Sequence, residues 1–108
     1  MLILPIKKKW FDMILSGEKK EEYRKIDGYY MVRFSNIGLL NLELNSLNYV
    51  PTGNVRKVMF RNGYSYNSPS FVADVSLTIG TGRTKWGAES GKEYYVLLIH
   101  KIYKEDAE

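Results

Sequence analysis

Gly17-Glu18-Lys19-Lys20-Glu21-Glu22-Tyr23-Arg24 is the stretch on which the reading of this chain turns. Upstream of it, Trp10, Phe11, Ile14 and Leu15 fall at i, i+1, i+4 and i+5, the apolar stripe of a helix lying on a core. The spacing predicts a helix over residues 7–16. Gly17 should stop it, because a residue without Cβ takes the left-handed conformation that closes a helix and satisfies its last carbonyls. Residues 21–26 then read as a strand. Glu22 and Arg24 share a face of that strand, while Lys19 has the opposite parity and joins them only through a turn or bulge. The expectation is a cleft between helix and sheet on which a lysine, a glutamate and an arginine converge. Such a set suits the binding and polarising of an anionic or amide-bearing ligand.

On the N-terminal side, Leu2-Ile3-Leu4-Pro5-Ile6 reads as a short strand, apolar on both faces and largely buried, with the proline marking an edge position or the strand's end. Lys7, Lys8 and Lys9 fall in the first helical turn, where cations oppose the macrodipole by some tenths of a kcal/mol each. They read first as a solvated charge run and second as phosphate contacts. Trp10 and Phe11 read as packing. Lys19 and Lys20 sit where a helix C-terminus favours positive charge, so their placement alone needs no functional account.

On the C-terminal side, Asp27-Gly28 is a turn dipeptide, and Tyr29-Tyr30-Met31-Val32-Arg33-Phe34 is ambiguous by propensity. Leucines 40, 42, 44 and 47 alternate with Asn41, Glu43 and Asn45, which predicts one half-buried strand over residues 39–47. Pro51-Thr52-Gly53-Asn54 breaks it. Residues 55–61 form a compact strand, Asn62-Gly63 a tight turn, and Tyr64 and Tyr66 lie in a polar, aromatic loop. Residues 71–79 alternate into a strand, followed by a glycine-spaced turn at 80–83. Gly80-Thr81-Gly82 lacks the Lys-Ser/Thr of a phosphate loop and is not read as one. Residues 93–103 form a long apolar strand buried for most of its length, and residues 104–108 should fray. Five or six strands with a helix near the start predict a small closed or nearly closed barrel, since an open sheet of this size exposes long edges.

The chain has 108 residues, 44% of them apolar, and a net charge of +4. That is one domain's worth of core, so a single domain over 1–108 is expected. Residues 1–36 carry eight basic and five acidic side chains and the remainder eight and seven, so the excess positive charge lies in the first third. A polyanionic partner fits that balance. With no cysteine and a single histidine, His100, neither a thiolate metal site nor a Ser-His-Asp scheme is expected, and no metal or cofactor is assigned. No apolar run is long enough to span a bilayer. The piece before the lysines is too short for a signal peptide, so a cytoplasmic location and no membrane partner are expected.

The spacing Gly17-x-Lys19-x-x-Glu22-x-Arg24 resembles the signature of the ASCH family, whose members have a PUA-like β-barrel. The resemblance extends further. Residues 4–19 (Leu-Pro-Ile-Lys-Lys-Lys-Trp-Phe-Asp-Met-Ile-Leu-Ser-Gly-Glu-Lys), Phe60-Arg61-Asn62-Gly63-Tyr64, Trp86-Gly87-Ala88 and Gly91-Lys92-Glu93-Tyr94-Tyr95-Val96 are similar to small bacterial and phage members. Only residues 37–54 have no counterpart. The resemblance implies a mostly β fold with flanking helices, a PUA-like small barrel with the N-terminal helix beside the motif cleft, and it makes 29–34 a short helix.

It also implies two activities. Some ASCH proteins hydrolyse the acetyl amide of N4-acetylcytidine, with a lysine at the position of Lys19, a threonine at the position of Glu22 and a second glutamate further along. Lys19 carries over. Glu22 stands where those enzymes place a hydroxyl nucleophile, so a carboxylate there would act instead as a general base for water. That role requires burial and neighbours to shift the lysine or the glutamate toward neutral pKa. Asp74, Glu89 and Glu93 are candidates for the distal acid by position alone. Ribonuclease action is also associated with the fold.

The other implied class is a binding module for RNA or a nucleoside-like small molecule. Single-stranded RNA is gripped by basic side chains on phosphates and by aromatic faces on bases. Lys7, Lys8, Lys9, Lys19, Arg24 and Arg61 are the phosphate candidates, Tyr64, Tyr66 and Trp86 the stacking candidates, and Asn62 lies among them; at least one of the three rings is expected in the core. Glu22 would accept from the amino edge of a base. A purely structural alternative is a surface pair between Glu22 and Arg24 or Lys19, contributing about 0–1 kcal/mol.

Overall fold

The computed structural model describes residues 1–104; all but the first residue of the segment expected to fray lies outside them. In chain order the elements are β1 (Leu2–Pro5), α1 (Lys8–Leu15), β2 (Glu21–Arg24), α2 (Gly28–Asn36), β3 (Leu40–Glu43), β4 (Asn48–Pro51), β5 (Arg56–Arg61), β6 (Ser70–Thr81), a 3-10 turn (Thr84–Trp86) and β7 (Glu93–Tyr103). Five strands make one curled half-barrel sheet in the order β1-β5-β6-β7-β2, and β3 and β4 pair as a separate hairpin. The β1–β5 pair is parallel and the rest are antiparallel.

Alternation builds the core. Phe71, Ala73, Val75 and Leu77 of β6 face inward with Val58 and Phe60 of β5 and Leu4 of β1, and α1 and α2 close this face with Phe11, Ile14 and Phe34. The strand β7 is buried on both faces over Tyr94–Leu97: Tyr95 and Leu97 join the main core, whereas Tyr94 and Val96 join Ala88 and Tyr23 in a smaller cluster behind the sheet. Beyond Leu97 the second cover ends, and His100 and Lys101 are exposed, so β7 is buried over less of its length than its apolar sequence suggests.

The sheet curls into a half-barrel compatible with the small, closed or nearly closed barrel expected from the sequence, with β1 and β2 as its two outer strands. Pro5 ends β1, and the edge position leaves Ile3 exposed, so this strand is not apolar-covered on both faces. Asp27-Gly28 is no turn: Asp27 caps α2, its carboxylate accepting from the Tyr30 N–H at 2.9 Å. The single strand expected over 39–47 is a hairpin. Asn45 and Ser46 reverse the chain in mid-pattern, so Leu44 and Leu47 reach the tip, 78% and 72% exposed. Asn62-Gly63 likewise opens a longer loop rather than a two-residue turn, with the Asn62 N–H bonded to the Pro69 carbonyl. Among the described residues no helix is long and apolar enough to cross a membrane.

Leu47 is the one non-glycine described residue with positive φ, at 58°. Left-handed backbone costs an L-residue with a Cβ roughly 1–2 kcal/mol, and this side chain gains little from burial. Leu47→Gly is therefore expected to stabilise the fold by about 1 kcal/mol, read as a higher urea midpoint at unchanged m-value. A lower midpoint would show that the exposed leucine packs in solution.

Candidate functional site: a cleft at the seam of the sheet

The last turn of α1 sets the site. Gly17 adopts φ 88° and donates to the Ile14 carbonyl, and the Lys19 N–H reaches back to the Met13 carbonyl at 2.9 Å. This turn resolves the parity problem by sending the Lys19 side chain inward, where it is wholly buried. In β2, Glu22 pairs with Leu97 and Arg24 with Tyr95, so both project onto the core face, as cross-strand neighbours must.

The three charges form one line. The Lys19 ammonium lies 3.1 Å from Glu22 Oε1, and Glu22 Oε2 lies 2.8 Å from Arg24 Nη2. Lys19 also donates to the Trp86 carbonyl at 2.6 Å and sits 4.8 and 5.1 Å from the ring centres of Tyr23 and Trp10. Arg24 donates to the Tyr30 hydroxyl at 3.0 Å and, across the seam, to the Pro5 carbonyl at 2.9 Å. A side chain thus spans the gap between β1 and β2. Lys19 and Glu22 are the two buried charged residues among those described. Burial pushes the Lys19 ammonium below the usual lysine value, and Glu22 opposes that shift. Two cations on one carboxylate leave the line with a net positive charge. This is no solvent-exposed pair of the structural alternative.

Over the Glu22–Arg24 end of this line lies a cleft of ≈ 360 Å³, walled by Trp10, Tyr30 and Trp86, with Lys7 and Lys25 also lining it; Lys19, expected on the same cleft, does not line it and reaches it only through Glu22. Trp86 is buried, the core ring expected among the three, but one face of its surroundings opens here. Gly87, at φ 104°, lets the backbone after the 3-10 turn approach Trp10; a Cβ would stand 3.0 Å from the indole. Behind the sheet the Tyr23 hydroxyl donates to Glu21 and accepts from the Arg83 N–H, tying β2 to the segment before that turn. Burial pushes its pKa up to about 12.

The remaining candidates divide. Lys8 does not line the cleft and pairs with Asp12 at 2.6 Å on exposed surface, while the Lys9 ammonium stands 4.7 Å from the Trp10 ring centre, outside the cleft lining. Arg61 does not line it either; its guanidinium lies beside Met59. Asn62 and Tyr64 border an adjoining hollow, and Tyr66 is exposed in the same loop. None of the three distal acids is in the cleft. Asp74 is held by Lys57 at 3.1 Å and by the Tyr103 hydroxyl at 2.8 Å, and the latter, first, keeps its carboxyl below the usual range. Glu89 and Glu93 are exposed. The sequence reading missed Trp10, Tyr30 and Lys25 as lining residues; Trp10 had a signal, as the outermost ring of a helical stripe beside the motif.

Chemically, the cleft offers a fixed carboxylate acceptor, a guanidinium donor and aromatic walls. Each Glu22 oxygen has a lone pair beyond the one its cation uses, and the buried Arg24 Nε–H has no acceptor among the described residues. The hydroxyls lining the cleft are those of tyrosines. No protein-family model, curated protein or solved structure matches the chain at a significant level.

Proposed function

We propose that the seam cleft binds a nucleobase, presented by a nucleoside or by single-stranded RNA, and that the domain is a PUA-like module of the ASCH type working as a binder. The observation that carries this reading is Glu22, clamped between Lys19 and Arg24 at the base of an aromatic-walled cleft. A carboxylate so fixed accepts from the amino and imino edge of a base without further ordering, and the rings give faces on which a base stacks. The volume fits one such ligand, being near the lower end of small-molecule sites, about 300 Å³.

A second reading, hydrolysis of an N4-acetylcytidine-like amide, draws on the lowered Lys19 pKa, which favours a lysine that can take a proton. Against it, the ammonium is fully buried and bound to Trp86 and Glu22, and the lining holds neither an aliphatic hydroxyl nor a second acid. The ribonuclease reading has less support, since His100 lies outside the cleft, hydrogen-bonded to Ser76.

The test is an NMR titration with the four ribonucleosides and N4-acetylcytidine. Shifts at the Trp10 and Trp86 indole N–H and at Arg24 are expected, with a base preference that Glu22→Gln alters. Little cytidine should form from the acetylated nucleoside. Absence of any shift at millimolar ligand would remove the binding reading, and turnover on the order of 1 per second, abolished in Lys19→Ala, would establish the enzyme instead.

A further inference from the structure

Pro5, Ile6 and Lys7 line the cleft and also line a second hollow of ≈ 400 Å³, which Asn62, Gly63 and Tyr64 complete. Tyr64 is 90% exposed, more than any other large apolar side chain described. A ring given so fully to solvent contributes nothing to the core, yet the loop carrying it is tied down at several points. The Asn62 N–H bonds to the Pro69 carbonyl at 2.8 Å and the Ser68 N–H to the Ser65 carbonyl at 2.9 Å. Gly63, at φ 126°, folds so tightly that a Cβ would lie 2.6 Å from Ser68 Oγ. Between the two spaces stands Lys7, exposed and in no ion pair among the described residues.

An aromatic-walled space, a cation and an exposed aromatic ring in succession match the repeat of a nucleic-acid strand: base, phosphate, base. We infer that the ligand unit is a dinucleotide step of a single strand, one base in the cleft, its neighbour stacked on Tyr64, and the linking phosphate against Lys7. This rests on the nucleobase reading of the cleft and adds to it a length, a second base and a charge. A free nucleoside fills only half of the site. The two hollows are each large enough for one nucleotide's base and sugar.

The experiment compares the four ribonucleosides with their homodinucleoside monophosphates, UpU, CpC, ApA and GpG, whose single phosphate is the linking one. At least one dinucleoside should bind about 5- to 150-fold tighter than its nucleoside, the range that stacking one further base provides. Tyr64→Ala should erase that advantage and leave nucleoside affinity unchanged, and Tyr64→Phe should keep it. The dinucleoside's affinity should fall as salt is raised, through screening of its single phosphate, whereas the uncharged nucleoside's should not, and Lys7→Ala should remove that dependence. Equal affinities for nucleoside and dinucleoside, or a dinucleoside advantage that survives Tyr64→Ala, would overturn the inference and leave the nucleobase reading standing. Failure of nucleosides and dinucleosides alike would overturn both.

Discussion

Glu22→Gln is expected to destabilise the protein by about 3–5 kcal/mol, the cost of removing one member of a buried ion group and leaving its partners uncompensated. Here the loss is sharper than in a simple pair, because the carboxylate stands between two cations and its removal leaves both facing each other. Lys19→Met should cost less, about 1–3 kcal/mol, since it leaves Glu22 and Arg24 neutral together and strands only the Trp86 carbonyl. Urea unfolding of the two variants decides the order. If Lys19→Met proves the more damaging, the lysine and not the carboxylate organises the site.

The same variant has a pH signature. With Glu22 gone, the Lys19 pKa falls further below its unfolded value of 10.5. The unfolded chain then binds more protons than the folded one over the interval up to that value, so folded stability rises with pH across it. The deficit of Glu22→Gln should therefore shrink from neutral pH toward pH 10. Above pH 10 wild type and variant should both lose stability, because Tyr23 is raised to about 12 and stability stored in its neutral hydroxyl is lost through that range.

Phe34→Ala is expected to cost about 3–5 kcal/mol as a large-to-small change at a fully buried site. Its consequence should not stop at the core. Phe34 meets Tyr95 edge-on, with ring centres 5.5 Å apart, and stacks on Tyr30 at 5.7 Å, and Tyr30 holds the Arg24 guanidinium. Loss of the ring should loosen Arg24 and, on the proposed nucleobase reading, weaken nucleoside binding as well as the fold. Phe34→Leu should cost less than about 1.5 kcal/mol, and Tyr30→Phe should weaken binding while costing only about 1 kcal/mol of stability. Undiminished nucleoside affinity in Tyr30→Phe would show that Arg24 needs no such support.

The elements that read correctly from sequence are those in which pattern and packing agree. The α1 stripe and the alternation of β6 each bury the face that their periodicity marks, and Gly17 closes its helix in the left-handed conformation expected of it, whereas the apolar run of β7 is buried only over Tyr94–Leu97. Parity placed Glu22 and Arg24 together because residues two apart share a face of a strand, and β2 presents that face to the core opposite Leu97 and Tyr95 of β7. What was not legible depended on where the second cover of the sheet ends. Leu44 and Leu47 continue a leucine pattern into solvent because no layer lies over the hairpin tip. Lys19 looks like a solvated cation and is buried, since the 3-10 turn presents a carbonyl that only the fold brings there. The lysine run, expected wholly in the first helical turn, is split: Lys7 precedes α1 in extended conformation and lines the cleft, while Lys8 starts the helix and pairs with Asp12 one turn on, a distinction set by where the helix begins.

The order of the strands also says when the site comes into being. Glu22 and its partner Leu97 are 75 residues apart in sequence, and Leu2 pairs with Val58. Pairings of such long range close large loops before they gain contacts, which places folding on the slower, millisecond-to-second side for domains of this size. During synthesis, β2 emerges with its charged face bare and must wait for β7. Until then Lys19 and Arg24 have neither the Trp86 carbonyl nor a seam to span. A ribosome-bound chain stalled before β7 would therefore carry every residue of the motif without the assembled cleft, and, on the proposed binding function, ligand capture would report completion of the sheet.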